Sequence, residues 1–189
     1  MEETRIDCSK APSAELIAAD SKIAKLVWEF NKTFPYDPHA QELVRKIFED
    51  RIGEATRISA PLLGVRFGNV RLGHHVIIGQ NCLMMSAGGI TIDDKAMLAA
   101  NCQLLSNNHD MYERMVITCK PIHICEGAWL GAGVSVMAGV TIGRYAVVGA
   151  ASVVTKDIPD YAVAVGNPAR VIRYLDPEKE QKWPDGWDA

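Results

Sequence analysis

From Ile124 to Pro159 the chain repeats every six residues. Each period opens on a branched aliphatic, at Ile124, Leu130, Val136, Ile142, Val148 and Val154, and glycine follows directly at 131, 143 and 149. Four residues after each aliphatic stand Ala128, Val134, Val140, Ala146, Ser152 and Ile158, all small or β-branched. A period of six excludes an amphipathic helix, whose apolar residues recur at three and four. It also excludes a lone strand, which alternates at two. It requires a chain that turns a corner every six residues, with an aliphatic pointing inward on each face and a small residue near each bend. Such hexads predict a parallel β-helix, a solenoid in which three hexads close one coil.

The same phase continues upstream through Leu72, Ile78 and Met84 and, after a slip of two residues, through Ile92, Leu98 and Leu104. The solenoid is therefore expected to run from about Val70 to Pro159 in four coils, with residues 54–71 as an irregular entry. Between Leu104 and Ile124 the count overshoots by fourteen residues. Residues that break a solenoid's repeat form loops on one edge, where binding groups concentrate. The insertion 105–123, which carries Asn107-Asn108-His109-Asp110, is thus the first candidate for a functional site.

Ahead of the solenoid, Leu16, Ile23, Leu26, Val27 and Phe30 have helical spacing from Ala14 to about Asn31. Asp37 as N-cap with Pro38 in the first turn announces a second helix, which Gly53 can stop. Two such helices are too small to fold alone and are expected to cover the open edge of the first coil. The resulting organisation is a helical region over 1–53, a β-helix over 54–175 with the insertion 105–123, and a tail over 176–189 holding Trp183 and Trp187. Residues 1–13 read as a frayed lead-in.

A net charge of −3 provides no basic field for nucleic acid. The acidic opening Met1-Glu2-Glu3 is not a secretory signal, and there is no run of eighteen apolar residues, so the expected address is the cytoplasm with no membrane partner. The five cysteines (8, 82, 102, 119, 125) form no C-x-x-C pair and no zinc spacing, so they read as structural and no metal is expected. The four histidines other than His109 (39, 74, 75, 123) have no such loop context and read as surface or turn residues.

Several segments carry a resemblance: Asn108-His109-Asp110, Ala128-Trp129-Leu130-Gly131, Gly139-Val140-Thr141-Ile142-Gly143, Val153 to Pro159, and Gly166 to Arg173. In these, from Phe67 to Arg173, the chain resembles the hexapeptide-repeat acetyltransferases, most of all the maltose and galactoside O-acetyltransferase branch. The resemblance implies a left-handed coil, a hand that spacing alone does not give and that ordinary crossovers disfavour. It also implies a homotrimer with clefts between neighbouring prisms. Acetyl-CoA would be the donor, with direct transfer to a hydroxyl or amine of a small acceptor, most simply a sugar hydroxyl.

Direct transfer needs a base, because a hydroxyl cannot attack a thioester unaided, and histidine suits that role at neutral pH. The resemblance places the base at His109, beside Asn108, and makes Trp129 a wall of the cleft. It implies donor contacts at Gly131, Ala132, Gly149, Ala150, Thr155, Lys156, Arg170 and Arg173. The small residues would let pantetheine lie against backbone, and the three cations would meet phosphates. A backbone N–H in the tight coil after Trp129 would stabilise the oxyanion. Two sugar-binding side chains of the galactoside branch fall on Gly79 and Ala87, which can offer no side-chain hydrogen bond, so amino sugars and other small amines stay open as acceptors. A metal-dependent carbonic-anhydrase site on the same solenoid would need three histidine ligands, and no second histidine stands five residues after His109.

Overall fold

The structure, a computed structural model, describes residues 3–179. Trp183 and Trp187 of the expected tail lie outside the described residues. The hexads wind into a prism with three parallel walls. The first wall stacks Arg57–Ile58, Ile77–Ile78, Met97–Leu98, Trp129–Leu130, Val147–Val148 and Ala162–Val165, and Arg170–Tyr174 closes it antiparallel. The second stacks Leu62–Val65, Cys82–Met85, Gln103–Leu105, Ser135–Met137 and Val153–Val154. The third stacks Val70–Leu72, Ile90–Ile92, Ile122–Ile124 and Thr141–Ile142, with Ile158 bridged onto its end. This is the left-handed parallel β-helix, with a small N-terminal helical region.

Register explains the period. Ile58, Ile78, Leu98, Leu130 and Val148 sit one above another on the first wall, and Met84, Leu104, Val136 and Val154 do so on the second. All are buried. Each contributes roughly 1.5–3 kcal/mol by leaving water. Cys82 and Cys102 occupy small inward positions and are buried as compact apolar groups. Corners turn through left-handed residues. Between third and first walls these are Ala55, His75, Lys95, Gly127, Tyr145 and Tyr161, one ahead of each of the six parallel strands of the first wall. The tyrosines pile along this corner: Tyr145 stacks on Tyr161 with ring centroids 5.6 Å apart, and a Cβ on Gly127 would strike the Tyr145 ring.

Two expectations need correction. The solenoid does not begin at Val70. Arg57–Ile58 and Leu62–Val65 already form a full coil below it, in register with Ile77–Ile78 and Cys82–Met85. The prism therefore has five coils rather than four. The first was hidden because Gly64 occupies the inward position opposite Met84, where the pattern calls for an aliphatic. Residues 1–13 are not simply frayed, either. Thr4–Asp7 is a strand that pairs antiparallel with Val116–Cys119 of the insertion.

Helix α1 (Ala14–Phe30) is N-capped by Ser13, and α2 (Pro38–Phe48) by Asp37 with proline in its first turn. Val27, Phe30, Leu43, Ile47 and Phe48 join the solenoid's core cluster, so the pair covers the first coil. Just beyond α1, Asn31 fixes the join by donating to the Leu62 carbonyl and accepting from the Leu62 N–H, both at 2.8 Å.

Candidate active site

The insertion leaves the prism where the second wall turns toward the third. It folds as a hairpin, Asn107–His109 against Val116–Cys119, with Asn107 opposite Cys119 and His109 opposite Ile117. Asp110 shapes the tip. Its Oδ1 accepts the N–H groups of Tyr112 (2.8 Å) and Glu113 (2.9 Å), an aspartate turn that reverses the chain. Those amides, with the Arg5 guanidinium, hold the Asp110 carboxyl at about 2, below its ordinary 3.8.

His109 is exposed, and its Nδ1 lies 2.7 Å from the Arg114 carbonyl oxygen. A carbonyl can only accept, so Nδ1 carries the proton and donates it. The neutral ring then has its lone pair on Nε2, which is the tautomer a general base needs. Asn107 lies two residues back on the same strand, hence on the same side of the hairpin as His109, and Asn108 is on the other. The backbone oxygen of Asn108 accepts from Thr118 Oγ1 at 3.4 Å.

The remaining expected residues lie elsewhere on the prism. Trp129 is on the outer face of the first wall, half exposed. Gly131 and Gly149 follow inward aliphatics one coil apart and stack at the corner leading to the second wall. A Cβ on Gly131 would stand 2.7 Å from the Ala150 nitrogen, and one on Gly149 would stand 2.8 Å from a Val165 methyl. Ala132 and Ala150 are exposed at that corner. The N–H groups of Trp129, Gly131 and Gly133 are engaged by the carbonyls of Ala146, Val148 and Ala100. Among the described residues, no backbone partner is found for the Ala132 N–H, nor for that of Ala150 one coil on. Thr155 and Lys156 are exposed at the next corner, above the hairpin's exit. Arg170 and Arg173 lie on the closing strand opposite Val165 and Val163, and Arg170 Nη1 donates to its neighbour's carbonyl at 2.8 Å.

Gly79 lies in the same corner column as Gly131, and a Cβ there would fall 2.6 Å from the Ala100 nitrogen. This corner therefore excludes any side chain at 79, whatever the acceptor.

Sequence reasoning passed over His123. It stands on the outer face of the third wall, its Nε2 2.7 Å from Asp93 Oδ2, with Cys125 Sγ 4.0 Å from Nδ1. The pairing was not legible because it joins residues thirty positions apart through coil stacking. Burial, and then the nearby Asp93 and Asp160, push the Cys125 thiol up. The three residues bring one ligand atom each within 4.8 Å of one another, and the Nε2 contact already ties two of them together.

Comparison with known proteins agrees with this fold. Residues 121–156 match the family described as bacterial transferase hexapeptide (six repeats), and 69–106 match the hexapeptide repeat of succinyl-transferase. The galactoside O-acetyltransferase of Escherichia coli (strain K12) is 32% identical over 154 residues, which is 79% of this chain and 76% of that protein. A hexapeptide-repeat-containing acetyltransferase of Vibrio cholerae O1 biovar eltor, solved in complex with acetyl coenzyme A, superposes with a TM-score of 0.81. It is 32% identical, over 88% of this chain and 92% of that one. A galactoside acetyltransferase in complex with coenzyme A gives a TM-score of 0.82 at 28% identity, over 88% of this chain and 86% of that one.

Proposed function

Because this chain belongs to the hexapeptide-repeat acetyltransferases, we propose that it moves the acetyl group of acetyl-CoA directly onto a sugar hydroxyl, with His109 as general base. The observation that carries the reading is the 2.7 Å contact from His109 Nδ1 to the Arg114 carbonyl, which presents Nε2 as a lone pair on an exposed ring. In this scheme Nε2 takes the hydroxyl proton as the oxygen attacks the thioester carbonyl. The Ala132 N–H meets the developing oxyanion. As the tetrahedral intermediate collapses, the C–S bond breaks and the proton passes from the imidazolium to the CoA sulfur. No acyl-enzyme is needed.

The donor would lie along the stacked corner of Gly131, Ala132, Gly149 and Ala150, where only small residues let pantetheine reach backbone. Trp129 would wall the cleft, Thr155 would contact the donor, and Lys156, Arg170 and Arg173 would neutralise its phosphates. A related acetyltransferase solved in complex with acetyl coenzyme A supports the choice of donor. Ala87 can offer no side-chain hydrogen bond where the resemblance implies a polar sugar contact, and the corner leaves Gly79 no room for one, so galactosides should be weak acceptors. Free thiol released from acetyl-CoA should rise with glucose or maltose and much less with a galactoside. Release with glucosamine alone would replace the hydroxyl acceptor by an amine.

The working unit is a homotrimer in this reading. The His109 hairpin and the Trp129–Gly131 corner flank opposite edges of the second wall, so one prism does not bring them together. The outer face of that wall carries Leu63, Val65, Leu83, Met85, Leu105 and Met137, an apolar stripe suited to a neighbouring copy. Light scattering at micromolar concentration should give three times the chain mass, and a monomer there would remove the shared cleft. A cytoplasmic setting fits the free thiols at all five cysteines. No helix of the described residues is long and apolar enough to cross a membrane.

A further inference from the structure

The strand Thr4–Asp7 has no role in a hexad solenoid, yet it runs the full length of Val116–Cys119, from Thr4 opposite Cys119 to Asp7 opposite Val116. The Cys8 N–H extends the pairing to the Met115 carbonyl at 2.7 Å, and Glu3 meets Lys120 at 3.3 Å at the hairpin's base. From the middle of this strand Arg5 reaches the hairpin's tip. Its Nη1 is 2.9 Å from Asp110 Oδ2 and its Nη2 is 3.1 Å from Glu113 Oε2.

Those two carboxylates bracket the turn whose next residue supplies the His109 contact. Asp110 Oδ1 shapes the turn through two amides. The Glu113 carbonyl accepts from the Val116 N–H (2.7 Å), and the Val116 carbonyl accepts from the Asp110 N–H (2.8 Å). Arg114, between them, offers its carbonyl to His109 Nδ1. We infer that the N-terminal strand is a strap across the catalytic hairpin and that Arg5 is a positioning residue for His109. The inference rests on the reading of His109 as the base. An arginine is suited to the task because its planar fork can hold two carboxylates at once, where a lysine holds one point. An exposed ion pair adds little to global stability, so the effect of Arg5 should appear in alignment rather than in folding.

The test compares Arg5→Ala, Arg5→Lys and His109→Ala, assayed with acetyl-CoA and maltose, and follows amide hydrogen exchange of the unliganded protein. Displacing a catalytic group by an ångström can cost about a hundredfold, so Arg5→Ala should lower kcat by roughly ten- to a hundredfold. The KM for acetyl-CoA should hold, and Arg5→Lys should recover part of the loss. Exchange at the Asp110 and Val116 amides should quicken while the coil amide of Gly131 keeps its protection, a readout that needs no acceptor. Unchanged exchange at the tip would overturn the strap, as would an unchanged kcat beside an inactive His109→Ala. Lost protection at Gly131 would make Arg5 merely structural and would equally overturn it. A fully active His109→Ala would instead remove the base reading and leave the exchange result to judge the strap by itself.

Discussion

His109→Ala should lower kcat by about 10²–10⁴-fold, the range a positioned general base supplies, while leaving the affinity for acetyl-CoA unchanged. The separation follows from where the groups sit. His109 is on a hairpin that leaves the prism between the second and third walls. Of the proposed donor contacts, Thr155 and Lys156 share that edge two coils above the hairpin, while the others follow the first wall's corner and the closing strand. Alanine also removes the bond to Arg114, so a loss of activity could reflect a slack loop rather than a missing base. His109→Asn separates the two. Its amide can still donate to the Arg114 carbonyl, but it has no group that takes a proton. Steady-state kinetics and equilibrium binding of acetyl-CoA on both variants decide the matter. An asparagine variant as slow as the alanine one identifies a base. One near parental activity would reduce His109 to a tether and end its role in the mechanism.

What the sequence shows and what it hides divide along physical lines. A six-residue period is a local consequence of stacking, so the walls from Val70 onward can be read directly, and so can the insertion, as the place where the period fails. Helix starts are also local, and Asp37 and Pro38 announce the second helix through capping chemistry. The strand Thr4–Asp7 is different. Four residues whose partner lies more than a hundred positions away carry no periodic signal, and nothing in Thr-Arg-Ile-Asp announces a strap. The His123–Asp93 pair was hidden for a similar reason, since only the coil height brings position 93 beside 123. At the candidate site the sequence indicates His109 and the glycine corner. It does not indicate the Arg114 carbonyl, because a backbone oxygen has no residue signature. That carbonyl selects the tautomer, so the most informative contact for the chemistry is one that no motif could contain.

The first coil was concealed by one residue, and that residue leads to the second large expectation. Restoring the hexad pattern with Gly64→Val should destabilise the protein by roughly 2–6 kcal/mol, combining roughly 1–3 for a side chain held at an unfavourable φ with 1–3 for overpacking. By pattern alone the substitution looks like an improvement, since the same rung carries Met84, Leu104, Val136 and Val154. The backbone contradicts the pattern. Gly64 has φ +140°, and a Cβ there would fall 2.1 Å from the Met84 carbonyl oxygen. That oxygen is main chain, tied into the coil stack, and cannot swing aside as a side chain could. The strands Leu62–Val65 and Cys82–Met85 would have to separate. Separation would also disturb Asn31, which holds Leu62 through two 2.8 Å bonds, and so the seat of α1 on the prism. Urea unfolding should show the midpoint falling sharply for Gly64→Val and also, less steeply, for Gly64→Ala. Leu104→Ala, which empties the same ladder two coils on, should cost about 2–5 kcal/mol through an ordinary cavity. A valine variant at parental stability would mean that the first coil does not sit against the second at this spacing, and that the solenoid begins at Val70 after all.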